Sequence, residues 1–191
     1  MQDRLILLVG PSGSGKTTIA KELEEKGYNI IYSYTTRKPR EPNEWGHKFV
    51  GEDGWAFREN VIAERELYGE AYWATRDQYK DKGTSIYVVC PDGARQVQEN
   101  TEDAEVVTIF LMVDWRNRFD RIKERHFYNA EYPEGISVDG LYNESKRTAS
   151  IRTQKDKEIF NLCKCNYVVD ANRELEEVVK DVIEIIEGEI K

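Results

Sequence analysis

The residues Gly10-Pro11-Ser12-Gly13-Ser14-Gly15-Lys16-Thr17 carry the clearest chemistry in this 191-residue chain. They satisfy the pattern G-x-x-x-x-G-K-[S/T] throughout. Glycines at these positions let backbone N–H groups converge on a polyphosphate with no Cβ in the way. Lys16 is placed to reach the β- and γ-phosphates, and the Thr17 hydroxyl is of the right kind to ligate Mg²⁺. The expected ATP contacts are Gly10, Ser12, Gly13, Ser14, Gly15, Lys16, Thr17 and Thr18, with Mg²⁺ as cofactor and ATP as phosphoryl donor.

A second basic constellation follows in Thr35-Thr36-Arg37-Lys38-Pro39-Arg40. Arg37 and Arg40 lie three apart with Pro39 stiffening the turn, an arrangement suited to bidentate recognition of a phosphate monoester. Farther on, Arg118, Arg121 and Arg125 share one face of an expected helix. Arg118 reads as part of a solvated face interleaved with Asp120 and Glu124. Arg121 and Arg125, with Lys146, Arg147 and Arg152, flank a long segment without helical period, residues 126–140. They read as a lid that brings charge to phosphates on closing.

Alternating apolar runs and amphipathic stretches would position these groups. Strands are expected at 4–9, 29–32, 84–90, 106–113 and 167–169, and helices at 18–26, 92–100, 115–125, 143–163 and 173–188. Strand, glycine loop, helix is the context that gives the first motif its meaning. The alternation implies an α/β architecture, a P-loop NTPase three-layer fold with a mostly parallel sheet. Residues 33–79 break it, being aromatic, charged and strand-like in pieces. A net charge of −8 disfavours binding to nucleic acid, so an anionic substrate must meet a local cluster of arginines. Three cysteines give no disulfide framework or zinc site and read as reduced thiols. The chain enters a strand almost at once, so no leader is expected. No apolar run approaches the roughly 18 residues that span a bilayer. The expected location is the cytoplasm, with no membrane partner.

With these motifs the chain resembles the guanylate kinases over nearly its whole length, the P-loop and the 35–40 segment being the most specific parts. The resemblance implies one domain: a core of residues 1–32, 80–125 and 143–191, a small mixed β subdomain for the nucleoside monophosphate at 33–79, and a lid at 126–142. It implies that Ser33, Arg37 and Arg40 bind the acceptor's phosphate, joined by Tyr72. Arg121 and Arg125 match the paired lid arginines and Arg147 the arginine after the lid. Lys16, Arg37, Arg121, Arg125 and Arg147 would then carry the catalysis. Glu64 or Glu66 falls near the glutamate that accepts from guanine N1 and N2.

The chain also departs from the family pattern. The family reads Tyr-Gly-Thr or Tyr-Gly-Ser where this chain has Tyr72-Trp73-Ala74-Thr75, leaving Thr75 to replace the missing hydroxyl. It lacks the tyrosine of G-x-D-Y-x-F, for which His47 or Lys48 could substitute. The acidic L-D-x-D pattern becomes Val88-Val89-Cys90-Pro91-Asp92, leaving Asp92 to organise Mg²⁺ through water. The implied activity is ATP-dependent phosphoryl transfer to GMP or dGMP, by a monomer or homodimer acting on small-molecule nucleotides. Two other readings stand beside it: a kinase of the same fold for another (deoxy)nucleotide or a ribose bisphosphate, and a non-catalytic interaction module. Scaffold versions lose the P-loop glycines or lysine, which this chain keeps.

Overall fold

The computed structural model describes residues 2–39, 42–51, 54, 57–67, 69–129, 137–160 and 163–188. The apolar run near the N-terminus forms β1 (Asp3–Val9), in which Leu5 to Val9 are fully buried. Burial on both faces suits a central strand of a parallel sheet. β1 lies between β7 (Thr84–Val88) and β8 (Ala104–Met112), with Ile6 level with Ile86 and Val107. β2 (Asn29–Ile31) and β9 (Tyr167–Asp170) complete a five-stranded sheet in the order β2-β7-β1-β8-β9, all pairs parallel.

Helices cover both faces. Ile6 and Leu8 pack with Ile19 and Leu23 of α1 (Lys16–Glu25) and with Val178, Val182 and Ile186 of α5 (Leu175–Glu187). Leu5, Leu7 and Val9 pack on the other side with Val97 of α2 (Pro91–Asn100). Fully burying a side chain of this size contributes about 1.5–3 kcal/mol, so these stripes hold the layers together.

Residues 33–79 form a second sheet. β3 (Ser33–Thr35), β4 (His47–Phe49), β5 (Val61–Leu67) and β6 (Glu70–Thr75) lie in the order β4-β3-β6-β5, mixed in direction, followed by a one-turn 3₁₀ helix at Arg76–Gln78. Cross-strand partners share a face, and successive residues alternate between faces. Arg65, Tyr72 and Thr35 are therefore on one face, and Glu64, Trp73 and Tyr34 on the other. Trp73 is 1% exposed, stacks on Tyr34 at 5.7 Å, and donates from Nε1 to the Phe57 carbonyl at 2.7 Å. It is the anchor of the outer face. Ile62, Ala63 and Ala74 join the core layer of Leu5 and Leu7, seating the small sheet against the large one.

The expected loop at 126–140 is corrected at both ends. α3 runs Trp115–Asn129 and α4 runs Val138–Ile159. Ser137 caps α4, its Oγ accepting from Gly140 N at 3.1 Å, which starts the helix five residues before the position the sequence suggests. The face α4 buries consists of Leu141, Ser145, Ala149, Thr153 and Asp156, too polar to register as an apolar stripe. Contacts across the helix pair include His126 Nδ1 with Ser145 Oγ at 3.0 Å and Phe127 edge-on to Tyr142 at 6.2 Å. The rest of the expected lid, residues 130–136, lies outside the described residues. No helix among the described residues is long and apolar enough to cross a membrane.

Candidate active site

The loop between β1 and α1 takes its shape from two glycines in the left-handed region. Gly15 (φ 90°) caps α1, and Gly13 (φ 79°) lies so close to α3 that a Cβ there would come 2.9 Å from the Arg118 carbonyl. Lys16 Nζ donates to Gly10 O at 2.6 Å and Pro11 O at 3.0 Å and lies 3.4 Å from Ser14 Oγ. Burial pushes its pKa down to about 8, Asp156 pulls it up, and Arg118 and Arg125 push it down further. Lys16 and Arg125 thus lie near the positive end of α1 with Arg118 already paired to Asp156, an arrangement that suits an anion. Thr17 and Thr18 are exposed in the first turn of α1.

Arg118 corrects the sequence reading. It is 9% exposed rather than solvated. Its Nη2 pairs with Asp156 of α4 and its Nε donates to Ser12 O at 3.0 Å. The same carboxylate accepts from Ser12 N at 2.9 Å and Ser12 Oγ at 3.3 Å. Asp156 therefore clamps the P-loop, a role that a single acid in a charged helical run does not announce. Arg121 donates to Gly13 O at 3.3 Å and Ala171 O at 3.0 Å, and borders a cavity of about 220 Å³ with Ser14, Gly15, Thr18, Arg173 and Leu175. Arg125 is close enough to Lys16 to depress it. Arg147 is not brought to this group. It is exposed and lies about 160° around α4 from Ala149, on the outward face, at 100° per residue.

Across the sheet edge, Arg37 grips a carboxylate. Its Nη1 and Nη2 donate to the two oxygens of Glu44 at 3.0 and 2.8 Å, its Nε donates to Tyr72 OH at 3.1 Å, and its guanidinium lies 5.2 Å over the Phe49 ring. Both partners are mostly buried, at 13% and 14% side-chain exposure, and the Glu44 hydrogen bonds raise the Arg37 pKa. A carboxylate held in a guanidinium fork has the geometry of a phosphate held there. Glu44 was not foreseen from the sequence. Arg40 lies outside the described residues. Beside Tyr72 opens a cavity of about 180 Å³, lined by Ser33, Ala63, Arg65, Tyr87 and Cys90 among others. Ser33 Oγ and Tyr87 OH are 3.1 Å apart, and burial raises the Tyr87 pKa to about 12.

A protein-family profile described as an AAA domain matches residues 6–139, which contain the P-loop. Guanylate kinase from Nitrosomonas europaea is 25% identical over 97% of this chain and 89% of its own length. Guanylate kinase from Thermobifida fusca is 32% identical over 70% of this chain and 71% of its own length. The chain belongs to the guanylate kinase family. The crystal structure of guanylate kinase from Anaplasma phagocytophilum shares its fold, with a TM-score of 0.60 at 21% identity over 98% of this chain and 86% of that one.

For a guanylate kinase family member, the chain builds the wall of the cavity beside Tyr72 in an unexpected way. Trp73, where the resemblance expects glycine, points away from the cavity. Thr75 shares that outer face, by the two-residue alternation, and its N–H donates to Gln78 Oε1 at 3.0 Å. It does not replace the missing hydroxyl in the cavity, where Ala63 and Ala74 are paired instead. Glu64 borders the cavity, but its Oε2 accepts from Arg58 at 2.7 Å and its side chain is 56% exposed. Glu66 shares its face of β5 and is exposed. Of the substitutes for the family tyrosine, His47 lies 5.6 Å from the Tyr72 ring, while Lys48 stands over Tyr34 on the outer face. Both Asp92 oxygens are taken within α2, by Arg95 at 2.8 Å and Gln96 at 2.9 Å. Arg95 chiefly holds the Asp92 pKa down, with a smaller contribution from Arg65.

Proposed function

We propose that this chain transfers the γ-phosphoryl group of ATP to GMP or dGMP. The observation that carries the reading is the Arg37 fork: it grips a carboxylate beside a cavity, across the sheet edge from a P-loop whose cations are crowded together. In this reading Glu44 stands in for the acceptor's phosphate and gives way to it. ATP lies along the P-loop, with its triphosphate on the N-terminus of α1 and against Lys16. Its base takes the cavity beside Arg121 and Arg173.

A phosphate-monoester oxygen is already nucleophilic, so no general base is required. The chain's task is alignment and charge neutralisation. Arg37 and Tyr72 orient the acceptor phosphate, with Arg40 as a further candidate. Lys16, Arg121 and Arg125 spread the negative charge that builds on the transferring group. Among the described residues there is no cluster of three metal-ligating side chains, so a divalent ion would arrive with the nucleotide. The hard oxygen of Thr17, exposed in the first turn of α1, suits Mg²⁺ and would help hold it. Mg²⁺ when bound would supply charge neutralisation to the phosphates. Work on free nucleotides places the protein, in this reading, in the cytoplasm.

The test is ADP formation from ATP with each nucleoside monophosphate in turn. Turnover that requires GMP or dGMP is expected. Nucleotide binding without turnover for any acceptor would remove the enzymatic reading and favour an interaction module.

A further inference from the structure

The acceptor cavity presents a cation where a base-reading carboxylate was expected. Register decides this. Tyr72, whose OH accepts from Arg37, is directly opposite Arg65, so both side chains leave the same face of the small sheet. Ala63 and Ala74 form the neighbouring pair on that face and are 3% and 0% exposed. They contribute methyl groups and no polar atom. Glu64 and Glu66 leave the opposite face, with the Glu64 carboxylate already taken by Arg58. The polar residues around the cavity are then Arg65, Tyr72, the Ser33–Tyr87 hydroxyl pair and Cys90, with Glu64 at its border and held by Arg58.

Resting on the kinase reading above, we propose that Arg65 reads the base of the acceptor by donating to its carbonyl edge, and so selects keto bases over amino bases. A guanidinium carries donors and no acceptor. Guanine offers O6 and N7 side by side, the pair of acceptors that a guanidinium fork fits best. Hypoxanthine offers the same pair, and thymine and uracil offer O4. Adenine and cytosine place an amino group at that position, donor against donor, so the Arg65 fork meets no acceptor there. The carboxylate at the cavity border, Glu64, is engaged by Arg58, so in this proposal the guanine edge that carries N1–H and the 2-amino group contributes little to selection.

The test is steady-state kinetics with GMP, IMP, AMP, CMP, dTMP and a ribose bisphosphate as acceptors, and with 7-deaza-GMP, for the full chain and its Arg65→Ala, Arg65→Lys and Glu64→Gln variants. The expected result is IMP within about threefold of GMP in kcat/KM and 7-deaza-GMP at least about tenfold worse. Arg65→Ala is expected to lose about 10–100-fold with GMP while AMP and CMP change little, so selectivity collapses. Arg65→Lys restores part of it, and Glu64→Gln leaves the GMP-to-AMP ratio unchanged. A change in the selectivity ratio is something a merely structural role would not produce. IMP tenfold or more worse than GMP, or an unchanged ratio in Arg65→Ala, overturns the proposal. No turnover with any base would instead overturn the kinase reading, and turnover with a ribose bisphosphate alone would reassign Arg65 to a second phosphate. An Arg65-dependent preference for dTMP would keep keto selection while removing the guanine assignment.

Discussion

Replacing Asp156 tests whether the P-loop is held in shape from α4. The side chains of Asp156 and Arg118 are 9% and 10% exposed, so this is a buried ion pair. Asp156→Ala removes the pair and two hydrogen bonds from Ser12, leaving a guanidinium inside the protein without its carboxylate. Breaking a buried pair by removing one partner costs about 3–5 kcal/mol. At roughly 2–4 °C per kcal/mol for a chain of this size, the unfolding midpoint of the ligand-free protein should fall by about 6–20 °C. The companion variant Asp156→Leu with Arg118→Met removes both charges and keeps most of the volume. It should recover more than half of the loss, because most of the penalty belongs to the stranded charge and not to the pair's net attraction. Circular dichroism melts of the three proteins decide the matter. A drop below about 2 °C for Asp156→Ala, or a double variant no more stable than the single one, would show that the clamp is ornamental and that the P-loop is shaped by its own glycines.

Three further outcomes are expected. Lys16→Ala should lower turnover by about a thousandfold or more while leaving the melt near that of the parent, since Nζ acts on phosphate charge; coupled ADP assays with a melt read both. Glu44→Gln should lower the acceptor KM several-fold by weakening the occupant of the Arg37 fork, whereas Arg37→Ala should raise it by about 10–100-fold, with the ATP KM little changed in either. The Lys16 pKa of about 8, below its ordinary 10.5, means the fold disfavours the charged form, so this group's contribution to ligand-free stability rises as pH climbs from 8 towards 10.5. ATP reverses the shift, so calorimetry in buffers of different ionisation enthalpy should show proton uptake on binding near about pH 9 and almost none near about pH 6.

The elements that do phosphate chemistry were legible because their signals are local. A P-loop is eight consecutive residues, and a buried parallel strand is an apolar run, so β1, β7, β8 and the donor site could be read without tertiary information. The clamp could not be read. Arg118 and Asp156 are 38 residues apart on two helices dense in charge, and each alone looks solvated. Glu44 was hidden for a related reason: its role depends on the turn that brings it back to Arg37. The acceptor wall failed on parity. Alternation tells that Glu64 and Glu66 share a face, but which face depends on a register shift between Val61 and Ala63, and a shift of one residue exchanges inside for outside. The start of α4 was missed because, after Leu141, its buried stripe is built from serine, alanine, threonine and aspartate, so hydropathy carries no sustained period there.

The clamp also orders events during synthesis. Ser12 and Asp156 are 144 residues apart. At about 5–20 residues per second, the carboxylate that fastens the loop is made roughly 7–30 s after the loop itself. Through that interval the nascent chain carries the phosphate-binding sequence without the clamped loop, and with β8 and then α3 still to be added. The arginines proposed to meet the transferring group, Arg121 and Arg125, are also made after the loop. In the proposed reading, competence for triphosphate chemistry waits for Asp156, and a nascent chain that stops short of it lacks the fastened loop.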